Sequence, residues 1–141
     1  LSKLGIIVLL IFMTLNLRSF FLYHTNGNGY VERKAVIAFI REDAQMHSYP
    51  SVAISYITAP GYQFGYRYLL WREGIKVKSH STGSPVYTIV FPLSYVDKFD
   101  HRFGNIGLIL PDYQGYARES VEKSCQGADE NLTDSMFGYT D

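Results

Sequence analysis

The sequence holds a single cysteine, Cys125, among its 141 residues. No intrachain disulfide can form, and no cysteine zinc site can be assembled. Basic and acidic side chains balance at 13 each, so no overall field draws nucleic acid, and none is expected as a partner. His24, His47, His80 and His101 are far apart and none pairs at helical spacing, so no metal is expected. Neither a G-x-G-x-x-G turn nor a phosphate-loop lysine occurs; Gly61 and Gly65 follow a β-rich run without completing either pattern. Ser84 follows Gly83 but lacks the nucleophile-elbow pattern. Cys125 lies in a polar tail, a poor place for a reactive thiol. No cofactor is implied and no catalytic residue can be assigned. The one acidic cluster with a histidine, Asp97, Asp100 and His101 in DKFDHRFG, reads more readily as a solvated loop than as a cation site.

What is present begins with a long apolar run. Residues 4–17, LGIIVLLIFMTLNL, carry no charge, and Thr14 and Asn16 are their only polar members. With Arg18 and the following SFFLY the stretch reaches about 20 residues, the length that spans a bilayer core as a helix. Arg18 lies near the end, where its side chain can snorkel to the headgroups, and Phe20, Phe21 and Tyr23 fall where an interfacial aromatic belt belongs. A signal peptide would end in small residues, and LNLRSFFLYHT has none. A core helix of a soluble protein is rarely apolar on every face. Residues 1–25 are therefore expected to form a transmembrane helix with the bilayer as partner. The first residue, Leu1, is not Met, which suggests a piece of a longer chain. Lys3 precedes the span while Arg18, Arg33 and Lys34 lie at or after it, a charge bias that taken alone favours a cytoplasmic C-terminal domain.

After a short flexible linker at 26–30, rich in Asn and Gly, residues 31–116 read as one small α/β domain. Apolar Val31, Ala35, Val36, Phe39, Ile40 and Ala44 fall on a helical stripe, with Glu32, Arg33, Arg41, Glu42 and Asp43 on the wet side. SVAISYI at 51–57 is β-rich and bounded by prolines, so a strand is expected. Its small residues, Ala53 and Ser55, suggest a face for close helix packing. Thr58 and Pro60 suggest a second helix through Arg72, closed by Gly74. Strands are expected at 75–78, 86–91 and 106–110, with residues 93–105 irregular. The resulting fold class is α+β: one transmembrane helix, then a three- to four-stranded sheet with two helices on one face. Residues 117–141 hold two basic and six acidic side chains, and are expected to be disordered or loosely helical. Asn131-Leu132-Thr133 matches a glycosylation sequon, a pattern common by chance.

The most suggestive chemistry lies at the junction TAPGYQFGYRYLLW. A helix opening at Pro60 would offer free amides to an anion. Arg67 would add a forked phosphate contact, and Tyr62 and Tyr66 would stack on sugar faces. These three are the candidate substrate-binding residues; the alternative is that the tyrosines pack the core edge and Arg67 pairs with an acid.

The stretches SYITAPGYQFGYRYLLW, STGSPVYTIVFP and FGNIGLILP resemble the soluble C-terminal domain of multi-pass bacterial membrane proteins similar to membrane glycosyltransferases of the C superfamily, the dolichyl-phosphate-mannose-protein mannosyltransferase type. The resemblance covers roughly residues 5–113 and leaves out the tail. It implies a polyprenyl-phosphate sugar donor or an acceptor glycan as partner, an extracytoplasmic soluble domain at the cell membrane, and an accessory role, because the family's catalytic acidic loop has no counterpart here. That orientation opposes the charge bias above and is preferred, since the bias lacks its upstream half. The alternative from another class is a single-pass, membrane-anchored binding or interaction module with no enzymatic activity. An enzyme built on Asp97, Asp100 and His101 ranks last.

Overall fold

The computed structural model describes residues 3–22 and 27–131. Helix α1 (Lys3–Leu22) is 20 residues long, about 30 Å at the helical rise. None of its side chains is buried, and it is long and apolar enough to cross a membrane. Two of its polar side chains bond back within the helix: Thr14 Oγ1 donates to the Leu10 carbonyl and Asn16 Nδ2 to the Phe12 carbonyl, both at 2.8 Å.

The domain that follows is α+β, as expected. Helix α2 (Tyr30–Met46) leads to β1 (Ala53–Thr58), α3 (Tyr66–Arg72), β2 (Val86–Phe91), β3 (His101–Phe103), β4 (Ile106–Ile109) and α4 (Arg118–Ser124). The sheet order is β1-β2-β4-β3. Strands β1 and β2 are parallel, with Ile54 opposite Tyr87 and Tyr56 opposite Ile89. A parallel pair needs a long crossover, and the segment containing α3 supplies it. Strands β2 and β4 are antiparallel, and β3 joins β4 through a two-residue turn, Gly104-Asn105. One face of the sheet carries Ile54, Tyr87, Ile89, Ile106 and Leu108, which share a core with Val36, Ile37 and Ile40 of α2 and with Tyr66, Leu69 and Leu70 at α3.

Several expectations change. The α2 stripe is rotated: Val31 is exposed, Ile37 is buried, and Asp43, placed on the wet side by its charge, is only 7% exposed. Asp43 tolerates burial because its carboxylate accepts from Tyr87 Oη at 2.6 Å and Tyr113 Oη at 2.9 Å, since a buried charge needs such partners. Burial, then the bond to Asp43, raises the pKa of both tyrosines, so they stay donors at any ordinary pH. The helices pack on the face of β1 that carries the large residues. On the opposite face of the sheet, loop 93–99 packs at β4, with Leu93 and Phe99 against Gly107. Residues 75–78 form no strand but a single parallel bridge, Val52 to Val77. The segment 93–105 is not irregular throughout, because β3 lies in it.

The linker is not free over 27–29. The Gly27 carbonyl accepts from Asn105 N–H at 2.7 Å. A Cβ on Gly104 would collide with that carbonyl and with Glu32, so the β3–β4 turn and the start of α2 lie in direct contact only because residue 104 is glycine.

The tail also departs from expectation up to residue 131, and its remainder lies outside the described residues. In α4, Val121 is buried, and Cys125 packs against Ser51 at the start of β1. Residues 129–131 then strap the extended 75–79 segment. Asp129 accepts from Val77 N–H at 3.1 Å, Glu130 N–H donates to the Val77 carbonyl at 2.9 Å, and Glu130 accepts from Lys78 Nζ at 2.6 Å. Few apolar residues suffice here because the strap is held by polar pairing. Val121→Ala should cost about 1.5–3 kcal/mol in thermal unfolding of the chain, whereas a disordered tail would leave stability unchanged.

The hydrogen bond from Lys78 holds the Glu130 carboxyl below its ordinary value, with the Ser79 N–H bond assisting and burial opposing. A depressed acid adds stability above its unfolded value, and that contribution disappears as pH falls through the folded value. Glu130→Gln should therefore lower the melting temperature at neutral pH, and the difference from the wild type should shrink below about pH 4.5.

Candidate functional site

The candidate cleft lies at the start of the domain, between the first turn of α2 and α3. Asn28, Gly29, Tyr30 and Arg33 form one wall, and Gly65, Tyr68 and Leu69 the other, around about 570 Å³. The first wall is the start of α2. The second exists because α3 begins late. Gly61 and Gly65 both adopt positive φ, +89° and +93°, and this breaks the helix expected from Pro60. Residues 60–65 turn instead, and α3 is one short helix starting at Tyr66.

Arg33 connects the walls. Its Nε donates to the Asn28 carbonyl at 3.0 Å and its Nη1 to the Phe64 carbonyl. Its guanidinium lies over the Tyr66 ring, 5.2 Å from the centroid, a distance at which the ring face attracts a cation. A Cβ on Gly65 would sit 3.4 Å from Arg33 Nη1. At the outer lip Arg72 Nη1 bonds Tyr30 Oη, and Tyr68 stands beside Trp71 with ring centroids 5.9 Å apart. Tyr30, Phe64, Tyr68 and Trp71 are 54–64% exposed.

The residues proposed from sequence are distributed differently. Tyr66 is in the core at 2% exposure, and burial, opposed by Arg33, pushes its hydroxyl up to about 12. It supports the cleft from beneath and presents no ring face to a ligand. Tyr62 is partly exposed and packs its ring on Phe91 at 4.5 Å. Arg67 donates from Nε to the Asn131 carbonyl at 2.6 Å, while Asn131 Nδ2 donates to the Arg67 carbonyl at 2.9 Å. Arg67 thus fastens the C-terminal strap to α3. Asn131 is fully buried in that exchange, so the sequon asparagine offers no amide to a glycan in the folded chain. The anion site expected at Pro60 has no helix terminus to form it.

The acidic cluster is taken apart as well. Asp100 accepts from Leu110 N–H at 2.7 Å, and the His101 ring packs on Phe39 at 4.4 Å. Among the described residues no group of three or more His, Cys, Asp or Glu side chains could hold a metal ion.

Arg33, Tyr30 and Tyr56 escaped the sequence reading. Arg33 looked like an ordinary wet-side residue of α2, and only tertiary packing puts it over Tyr66. Tyr56 sits 5.6 Å from Tyr66, its buried hydroxyl unpartnered among the described residues. The strand pattern put helix packing on the opposite, small-residue face and gave no sign that the tip of Tyr56 stays unpaired. No family model matches this chain, and no curated protein or solved structure is measurably similar to it.

Gly65→Ala puts a side chain at a left-handed residue and against Arg33. It should cost about 1–2 kcal/mol in thermal unfolding, and Arg33→Ala in the same background should add less than it does alone, because the two changes share one contact.

Proposed function

We propose that this chain is a membrane-anchored accessory domain, non-catalytic by itself, of a membrane glycosyltransferase that uses a polyprenyl-phosphate sugar. In this reading α1 spans the cell membrane, the domain lies on the extracytoplasmic side, and the cleft beside the anchor receives the phosphate–sugar headgroup of the lipid donor. The observation that carries it is position joined to chemistry: the residues that open the cleft, Asn28 to Arg33, directly follow Gly27, the first described residue after the apolar helix. A lipid-borne headgroup stands at that height above a bilayer. With Nε and Nη1 of Arg33 bonded to the Asn28 and Phe64 carbonyls, the Nη2 donors of its guanidinium are left to meet a phosphate oxygen, and the exposed Tyr30 and Tyr68 rings offer faces to a sugar. Tyr62 and Arg67 keep structural places in this reading, with Tyr66 as the platform under Arg33.

A second reading, a single-pass anchored interaction module, is favoured by the exposed Phe64, Tyr68 and Trp71, which suit a protein partner as well as a sugar.

The test is calorimetric titration of the full chain, reconstituted in lipid nanodiscs, with a short-chain polyprenyl-phosphate hexose. Saturable binding is expected, weakened about tenfold by Arg33→Ala, or about 1.4 kcal/mol, and less by Arg33→Lys. No saturable heat with the sugar lipid or with polyprenyl phosphate alone rejects the donor-binding reading and leaves the interaction module.

A further inference from the structure

Among the described residues outside α1, nine large hydrophobic side chains are exposed, and six of them come from residues 30–31 or 62–71. They are not scattered. Tyr30 is bonded by Arg72, Phe64 is bonded through its carbonyl by Arg33, and Tyr68 touches Trp71. Tyr30, Tyr68 and Arg33 also share the cleft. The result is one continuous patch of rings with guanidinium groups set among them. Lys34, exposed one turn after Tyr30, adds a third cation, against Glu32 as the acid in the same turn of α2.

This patch follows the end of α1 closely along the chain. Five residue steps separate Leu22 from Gly27, at most about 18 Å of chain. Gly27 is itself pinned to the β3–β4 turn by the Asn105 N–H bond, so the tether joins the domain at that turn. The headgroup layer on each side of a bilayer core is about 5–8 Å thick. Tyrosine and tryptophan, each with an apolar body and a polar tip, collect in that layer, and arginine beside them can meet lipid phosphates.

We infer that the face formed by Tyr30, Phe64, Tyr68 and Trp71, with Arg33 and Arg72 among them, lies in the headgroup layer of the bilayer that α1 enters. This rests on α1 being a membrane anchor, and it is independent of whether the cleft binds a sugar lipid. Seated this way, the cleft opens toward the membrane surface, and the interfacial contact rather than the tether fixes the domain's orientation.

Trp71 is the only tryptophan in the chain, so its fluorescence reports on this face alone. The full chain in nanodiscs is compared with and without phospholipid carrying a nitroxide on the headgroup, and with aqueous iodide. The expected result is quenching of at least half the signal by the headgroup nitroxide, together with at least threefold protection from iodide relative to the chain in detergent. Anionic lipid should strengthen both effects, and high salt should weaken them. Phe64→Ala with Tyr68→Ala should restore iodide access, and a thermal melt of that variant separates lost docking from lost folding. Full iodide access with no nitroxide effect overturns the inference. A chain that does not enter the discs removes the anchor, and this inference with it. Failure to bind a polyprenyl-phosphate hexose leaves the Trp71 result untouched.

Discussion

A twenty-residue helix with no buried side chain needs an apolar surrounding, and the rest of the described chain does not provide one. Its cost in water is proportional to the apolar area left wet, and Leu, Ile, Val and Phe occupy all its faces. Five residues further along the chain, the Gly27 carbonyl joins the start of α2 to the β3–β4 turn.

The sheet and its helices keep that surface in shape. The parallel pairing of β1 with β2 requires a crossover, and the crossover carries α3. Helix α3 lies against α2 because Tyr66, Leu69 and Leu70 need the same core as Ile37 and Ile40. The cleft is the gap left between the two helices at the N-terminal end of α2. Arg33 holds it through two carbonyls and a ring face, so its walls are tied to one another and not only to the core beneath. In the first turn of α3, Arg67 and Asn131 exchange hydrogen bonds that secure the C-terminal strap.

Polar groups do much of the specifying. Asp43 is buried among Tyr87, Tyr113 and the His47 ring, which stacks on Tyr113 at 4.1 Å. Lys78, also buried, is matched by Glu130. In each case a charge inside the protein is tolerated because its partners come from distant parts of the chain, so the tail and the sheet are recognised as well as packed. An apolar tail would have been visible as a periodic stripe; this one is attached by backbone bonds and ion pairs that leave no such stripe.

The sequence by itself determined the apolar helix, the α+β class, the positions of β1, β2 and β4, and the existence of α2, because each rests on local spacing of apolar residues. Tertiary structure decided what local spacing cannot encode. It buried Asp43 by supplying two tyrosine hydroxyls from other elements, and it delayed α3 to Tyr66 because two glycines take positive φ. It drew the acidic tail onto the 75–79 segment through Lys78, and it moved the candidate site from Tyr66 and Arg67 to Tyr30, Arg33 and Tyr68. The junction 60–72 was correctly marked in sequence as unusual in its rings and guanidinium groups. Which of them face solvent depends on the rotation of a helix against its neighbour, and that rotation is set by the shared core rather than by the residues of the helix alone.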